Sequence, residues 1–501
     1  MAMIKINGTE YETNGARTIL DVTRANGIEV PTFCYNPELS IAANCRMCLV
    51  EVKGAPKLLP ACQTDIRDGM EVMTESPQVQ AWQQQNLEFI LLHHPVDCPI
   101  CDQAGECELQ EHYQRYDKQK TQLWSFRDKD RKPKRVVLGP HIVYDAERCI
   151  LCTQCIRFCD EIWGTHLLDS HWRGDHRHII TAEGEELDFP YSLMVAEVCP
   201  VGAMTSRDFR FKKRVWFLES VEGICPGCAT GCAVHVDHHE GVVHRLRPRR
   251  DPDVNGAWLC NDGVLAGRLH NDDRVLEPFA GGEAASLDEA LKKAAKVLGD
   301  LPEGVVAAVL SAEHTTEENL ALASFAREAL KVKDFYLAAR PDGDGDHLLR
   351  STDKNPNRRG AAAAAGSGVK PASELEAAAG LQAVIALGGI GAAPKAVKVV
   401  ALAARTGDLV KQADVVLPAP SFAQSAGSTI NAKGIRRSFG CAITPEIHEP
   451  RAPLPVADML DRLAAAMGLA HRTGDLEEQA AKIAAQAAPP APVPATETKE
   501  G

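Results

Sequence analysis

Short apolar–polar alternations broken by turn residues open the chain. Met3–Ile6 and Tyr11–Thr13 flank Asn7-Gly8, a pair suited to a tight hairpin. Thr18–Asn26 spaces Ile19, Leu20 and Val22 along one helical face and stops at Gly27, a residue fit for the left-handed position after a helix. A strand is predicted at Leu49–Lys53. Residues 79–118 predict helix, with Val79, Trp82, Leu87, Ile90 and Leu91 forming a stripe that runs into His93-His94-Pro95. Val215–Leu218 reads as β structure, and Val234/Val236 and Val242/Val243 alternate about Gly241 as a hairpin would. Further on, helical stretches (Leu287–Leu298, Glu317–Leu330) alternate with strand-like ones (Val305–Leu310, Ala383–Leu387, Val399–Leu402, Val415–Leu417), the order of a parallel-sheet α/β unit. The Ala/Gly-rich run 360–380 reads as a flexible connection, and the Pro/Ala-rich tail as disordered toward its end.

Length and charge narrow the classes. At roughly 100–200 residues per domain, 501 residues predict several domains. No apolar run reaches the roughly 18 residues of a membrane span, so no direct membrane insertion is expected. Met1–Gly15 lacks the charged and apolar regions of an export signal, and export is not expected either. Lys plus Arg 55 against Asp plus Glu 68 gives −13, which disfavours nucleic acid and anionic lipid as general partners. The 17 cysteines are about 3% of the chain, well below the roughly 8–10% of a disulfide scaffold. In a cytosolic chain such thiols are expected to be metal ligands. All but Cys441 lie between Cys34 and Cys260.

They fall into four sets. Cys34, Cys45, Cys48 and Cys62 place three thiols on one loop and the fourth on a later segment, as a [2Fe–2S] cluster requires. A four-thiolate zinc site usually draws on two separated close pairs, and only one is present. Next come His94, Cys98, Cys101 and Cys107, three cysteines on a tight loop behind a histidine, which suit a [4Fe–4S] cluster; His93 is the competing ligand. The third set is the bacterial ferredoxin run Cys149, Cys152, Cys155 and Cys159, with Cys199-Pro200 downstream. In two-cluster ferredoxins the fourth cysteine of each run ligates the other cluster. The second run survives only as Cys199-Pro200, so Cys149, Cys152, Cys155 and Cys199 are expected to hold this [4Fe–4S] cluster and Cys159 to be a buried structural thiol. Cys225, Cys228, Cys232 and Cys260 form the fourth set, for a third [4Fe–4S] cluster, with a zinc ribbon as the competitor. Cys441 is left as a core thiol. Arg46, Arg148 and Arg157 beside the ligands read by default as solvated charges, with raised potentials or steered docking as the alternative, and Arg245–Arg250 as the end of a strand rather than a nucleic-acid patch.

With these motifs in view the chain resembles the G subunit (75 kDa) family of the proton-pumping NADH:quinone oxidoreductase, respiratory complex I. The resemblance rests on Ala43–Glu51, His94–Cys107, Cys149–Glu161 and Cys199–Ala203, and spans residues 1–214. Ala43 stands where many relatives have glycine. Residues 215–440 resemble the start of the molybdopterin oxidoreductase fold through Cys225–Cys232, Gly241–Leu246, Trp258–Cys260, Ala413–Pro418 and Gly427–Asn431, while Asn355–Gly360 echoes a further signature. The departures are Asn261-Asp262-Gly263 after Cys260, where formate dehydrogenases of this type place a lysine, and the lack of any cysteine at 261–440 to ligate a metal.

The resemblance implies a multidomain α+β and α/β protein. Its expected parts are a ferredoxin-like β-grasp [2Fe–2S] domain at 1–78, a helical domain at 79–118 with one His and three Cys ligands, and a ferredoxin-like [4Fe–4S] domain at 119–214. A molybdopterin-oxidoreductase-type [4Fe–4S] domain at 215–275, a truncated, degenerate α/β domain at 276–475 and a tail at 476–501 complete it. No molybdenum ligand, molybdopterin or substrate-level catalytic site is expected on this chain. Electrons are expected to pass from a flavin/NADH-binding subunit through the first, third and second sets to quinone-side ferredoxin-like subunits, with a separate [2Fe–2S] subunit also in the complex. The implied location is peripheral, on the cytoplasmic side of the bacterial inner membrane. The rival readings are iron–sulfur subunits of an NAD-linked hydrogenase or formate dehydrogenase complex; an [FeFe]-hydrogenase domain would need several cysteines after residue 270, where only Cys441 stands.

Overall fold

The computed structural model describes residues 3–116, 129–299, 301–366, 368–444 and 453–486. The chain forms two compact units, Met1–Phe217 and Leu218–Gly501.

In the N-terminal unit, β1 (Met3–Ile6) and β2 (Thr9–Glu12) close the hairpin at Asn7-Gly8. Helix α1 (Ile19–Ala25) starts at a capping box in which the Thr18 hydroxyl accepts the Asp21 N–H and the Asp21 carboxylate accepts the Thr18 N–H. β3 (Leu49–Val52), β4 (Leu59–Pro60) and β5 (Met70–Met73) complete a mixed sheet ordered β2-β1-β5-β3-β4, with β1 parallel to β5. Ile19, Leu20 and Val22 pack on Ile4, Ile6, Val50 and Val72, and Cys48 and Cys62 lie in the same core. Ser76 caps α2 (Pro77–Leu91) and α3 (Glu108–Tyr116) follows, so the helix expected over 79–118 is two helices separated by the His94–Cys107 loop. Beyond them, β6 (Val136–Val137), β7 (Ile142–Tyr144) and β10 (Met204–Ser206) form a small sheet, and β8 (Leu168–His171) pairs with β9 (His178–Thr181). Two single-turn helices, α4 (Gln154–Arg157) and α5 (Met194–Glu197), lie between. Val215–Phe217 is a 3₁₀ turn rather than a strand: a Cβ at Gly105 would meet Val215 at 2.7 Å and Trp216 at 3.0 Å, so this segment packs against the ligand loop.

The C-terminal unit begins with the antiparallel sheet β11 (Glu219–Ile224), β12 (Ala233–His239) and β13 (Val242–Pro248). The short helices α6 (Asn261–Val264) and α7 (Arg268–Asn271) follow. The strands β14 (Phe279–Ala280), β15 (Val306–Ser311), β16 (Asp334–Ala338), β17 (Lys370–Pro371), β18 (Ala383–Leu387), β19 (Lys398–Ala403) and β20 (Val415–Pro418) build a seven-stranded sheet ordered β14-β20-β19-β18-β15-β16-β17. All its pairings are parallel except β14–β20. Helices α8 (Leu287–Leu298), α9 (Thr316–Glu328) and α12 (Val456–Ala466) contribute to the core on one face; Leu375, Ala393 and Leu409, the last on α11 (Asp408–Gln412), cover the other. The run read as a flexible connection instead contains α10 (Arg358–Ala365), laid against α9 so closely that a Cβ at Gly360 would sit 2.4 Å from the Thr316 hydroxyl. β21 (Gly427–Ile430) and β22 (Arg436–Phe439) pair, and the expected tail starts as helix α13 (Leu476–Gln486); its remainder, 487–501, lies outside the described residues.

Candidate metal centres

The first set divides into two thiol pairs. Cys34 hydrogen-bonds Cys45, and Cys48 hydrogen-bonds Cys62. The shared proton holds Cys34 down to about 5 and Cys62 below its ordinary value, and pushes Cys45 and Cys48 well up. Two pairs of sulfurs fit two irons with two thiolates each. Ala43 and Arg46, on the loop that carries them, have left-handed backbone at φ +48 and +57. That conformation explains why glycine suits position 43, since a Cβ there is strained.

In the second set, Cys98, Cys101 and Cys107 act on one another electrostatically, and burial raises Cys107 to about 11. The two histidines are in different states. His93 accepts the Asp130 N–H on Nδ1 at 2.9 Å and faces the Asp175 carboxylate with Nε2 at 3.9 Å. His94 accepts the Val96 N–H on Nδ1 at 3.1 Å, which fixes the ring and leaves Nε2 as the open ligand atom. Burial lowers His94 to about 4, so the ring is neutral at pH 7, the form that binds iron. Val96 holds this geometry at φ +50, costly for a β-branched residue.

The third set lines one cavity: Cys149, Cys152, Cys155 and Cys199 share its walls with Ile150, Ile179, Val201 and Met204. The pairing Met204↔Tyr144 places the end of β7, from which the Cys149 loop leaves, beside the start of β10, where the Cys199 loop arrives. Cys159 is fully buried and raised to about 12 by that burial, and it does not line the cavity. The buried Tyr144 hydroxyl hydrogen-bonds Cys149 while accepting the Ile179 N–H at 3.0 Å. No spacing motif points to it, because its partners lie on other loops.

The fourth set occupies the β11–β12 connection, closed by the Cys225 N–H on the Cys232 carbonyl at 2.8 Å, with Cys260 capping α6. All four thiols act on one another electrostatically. Nearby, a cavity of about 300 Å³ opens where the strand order across the sheet reverses, between β15 and β18, with Cys225, His314 and Gly388 in its wall. The first-turn carboxylates of α9 are already engaged: Glu318 by Thr315 and Ser425, Glu317 by Ser428 and Arg436.

Donor chemistry fits iron–sulfur clusters at all four places. Among the described residues no three His, Cys, Asp or Glu side chains converge as they would about a single ion. Burial also raises Cys199 to about 12 and Cys260 to about 11, so ligation there displaces protons.

Two of the three flanking arginines are tied to neighbouring loops, while Arg46 is exposed, as the default reading has it. Arg148 is 4% exposed and forms a bidentate pair with Asp97 at 3.0 and 2.7 Å, tying the third loop to the second. Arg157 donates to the carbonyls of Cys34 at 2.7 Å and Cys152 at 3.3 Å, tying the third loop to the first. Arg245 and Arg247 both pair with the buried Asp237, at 2.8 and 2.7 Å. Cys441 is half-buried and directs its thiol at the carbonyls of Gln424 and Ile443 rather than into a core.

Four family profiles match the chain in series. They are a 2Fe-2S iron-sulfur cluster binding domain over residues 1–77, the NADH-ubiquinone oxidoreductase-G iron-sulfur binding region over 83–122, the ferredoxin-like domain of NADH-quinone oxidoreductase subunit 3 over 139–205, and the molybdopterin oxidoreductase Fe4S4 domain over 218–271. The chain is similar to the G subunit of NADH-quinone oxidoreductase from Streptomyces coelicolor, 33% identical over 68% of this chain and 41% of that protein. It is also similar to the G subunit from Rickettsia bellii, 36% identical over 61% of this chain and 45% of that protein. The 75 kDa subunit of NADH-ubiquinone oxidoreductase from Reclinomonas americana is 38% identical over 54% of this chain and 40% of its own length. The chain thus spans less than half the length of these curated relatives. No helix among the described residues is long and apolar enough to cross a membrane.

Proposed function

Since the chain belongs to the G-subunit family of NADH-quinone oxidoreductase, we propose that it relays single electrons in an NADH:quinone oxidoreductase, from a flavin partner that oxidises NADH toward partners that reduce quinone. Iron–sulfur clusters, one [2Fe–2S] and three [4Fe–4S], supply the one-electron redox centres when bound. Cys34, Cys45, Cys48 and Cys62 hold the first; His94, Cys98, Cys101 and Cys107 the second; Cys149, Cys152, Cys155 and Cys199 the third; Cys225, Cys228, Cys232 and Cys260 the fourth. The assembly is peripheral, at the cytoplasmic face of the bacterial inner membrane, with flavin-bearing, [2Fe–2S] and ferredoxin-like subunits as partners. Molybdopterin has no role here.

One observation carries the reading: the ligand loops of the N-terminal unit touch in the order first, third, second. Gln154, on the turn after Cys152, donates to the Phe33 carbonyl at 2.7 Å and accepts from Asn36 at 3.1 Å, while Arg157 reaches Cys34. On its other flank the third loop meets the second through Arg148–Asp97 and at Gly202, where a Cβ would stand 2.3 Å from the Cys101 sulfur. Chain residues thereby hold the three ligand loops in series. The test is metal analysis with potentiometric EPR on the anaerobically reconstituted chain. About 14 irons and four cluster signals are expected by ligand count. Stoichiometric zinc with little iron would sink the proposal, and bound pterin would favour the formate dehydrogenase reading.

A further inference from the structure

Beside the His94–Cys107 loop, the surface of the N-terminal unit carries a groove of about 440 Å³. Its lining has five basic side chains against two carboxylates, in a chain of net charge −13. Two of the cations are paired, Arg148 with Asp97 and Lys134 with Glu147 at 2.6 Å. The other three, Arg135, Arg210 and Arg214, have no carboxylate within ion-pair distance among the described residues. Arg214 donates to the carbonyls of Cys101 and Pro99, the latter at 2.6 Å, so it braces the ligand loop itself. Arg210 lies over the Phe211 ring at 4.6 Å.

Two large apolar side chains stand among these charges: Ile100, one residue before Cys101, is 65% exposed, and Phe211 is 58% exposed. Arg135 and Phe211 both sit on left-handed backbone, at φ +56 and +59. Such strain in non-glycine residues persists where the surroundings enforce it and gathers at functional sites. Apolar side chains ringed by arginines have the make-up of a protein interface, and a cluster of like charges prefers an oppositely charged partner. Because the site is concave, it suits a protein protrusion better than a planar lipid surface.

We infer that this groove docks a partner protein that presents an acidic segment with an apolar side chain at its tip.

The test uses the full chain in membranes that contain the whole assembly, with a photo-crosslinking residue replacing Ile100. A control replaces Trp172, which is 65% exposed beyond β8. Ile100 crosslinks are expected on an acidic peptide, with a yield falling about tenfold when Arg135→Glu and Arg210→Glu are combined, while Trp172 crosslinks hold steady. Arg135→Glu alone, at an exposed position, should lower the yield severalfold and covers the case in which the double variant fails to fold. Yields within about twofold of the parent in both variants overturn the inference, as do crosslinks confined to lipid, nucleic acid or a basic peptide. EPR on the same membranes separates the two proposals. Intact signals with a charge-insensitive crosslink overturn the docking surface alone, whereas a charge-sensitive crosslink on a chain without NADH-reducible signals overturns the relay alone.

Discussion

Replacing Asp97 by asparagine keeps the side-chain shape and removes the charge that answers Arg148. The Arg148 side chain is 5% exposed and that of Asp97 18%, so solvent screens little of the pair. Breaking a buried pair by removing one partner costs about 3–5 kcal/mol, because the remaining charge stays buried. Asp145, 3.6 Å from the Arg148 Nε, still compensates in part, which places the expected loss near 3 kcal/mol. For a unit of this size that is roughly 6–12 °C in apparent Tm, read at one scan rate for every variant. Asp97→Asn combined with Arg148→Met should recover at least half of the loss, since no unpaired charge is left. EPR should show both adjoining [4Fe–4S] signals altered, because Asp97 lies between His94 and Cys98 while Arg148 precedes Cys149. The reasoning fails if Asp97→Asn melts within about 2 °C of the parent, or if the double variant is no more stable than the single one.

His94→Ala should alter one [4Fe–4S] EPR signal while His93→Ala leaves it in place; the opposite pattern would move the ligand to His93. Ala43→Gly relieves a left-handed Cβ and should raise the denaturant midpoint by roughly 0.5–1 kcal/mol equivalent with an unchanged m-value. A lower midpoint would show that position 43 is not strained. Burial of Asp237 tends to raise its pKa, but the hydrogen bonds and charges of Arg247 and Arg245 outweigh it and hold the carboxyl below its ordinary value. A depressed folded pKa contributes stability that is fully present above the unfolded value near 3.9 and is lost only as pH falls through the folded one. Asp237→Asn should therefore lower stability by about 3 kcal/mol, equally from pH 5 to pH 8 in urea titrations, and a gap that varied across that window would contradict the assignment.

Ligand loops were legible because iron–sulfur sites write their spacing into a short stretch of chain, and Asn7-Gly8, the Thr18 cap and α8 because turn and helix signals are equally local. Features set by distant partners were not. Tyr144 meets Ile179 35 residues away, and Arg157 meets Cys34 123 residues away, so neither carries a motif. Small residues at 360–365 look like a linker, yet α10 needs them to approach α9 closely. The apolar Val215–Leu218 suggests a strand, but Val215 and one edge of Trp216 lie against Gly105 instead, and Trp216 and Phe217 both stay exposed.

Contact order and sequence order differ for one structural reason: the third loop has two working flanks. On one side α4 follows Cys152 directly, so Gln154 and Arg157 face the Phe33–Ser40 segment. On the other, the antiparallel β7–β10 register carries Val201 and Gly202 against the Cys101 loop. These flanks share no side chain, and the hydrogen bonds of one can be lost without touching the other. Each junction is therefore set separately, the first by a guanidinium spanning two carbonyls, the second by a glycine contact and a buried ion pair. Ligation deepens the case for arginine at both. Four oxidised clusters would carry the chain from −13 to near −20, and a cation beside each junction, half-buried at Arg157 and buried at Arg148, offsets part of that charge. Lysine would supply the charge without the planar fork whose two terminal nitrogens reach the Ser40 and Cys34 carbonyls, so position 157 calls for arginine on geometric as well as electrostatic grounds.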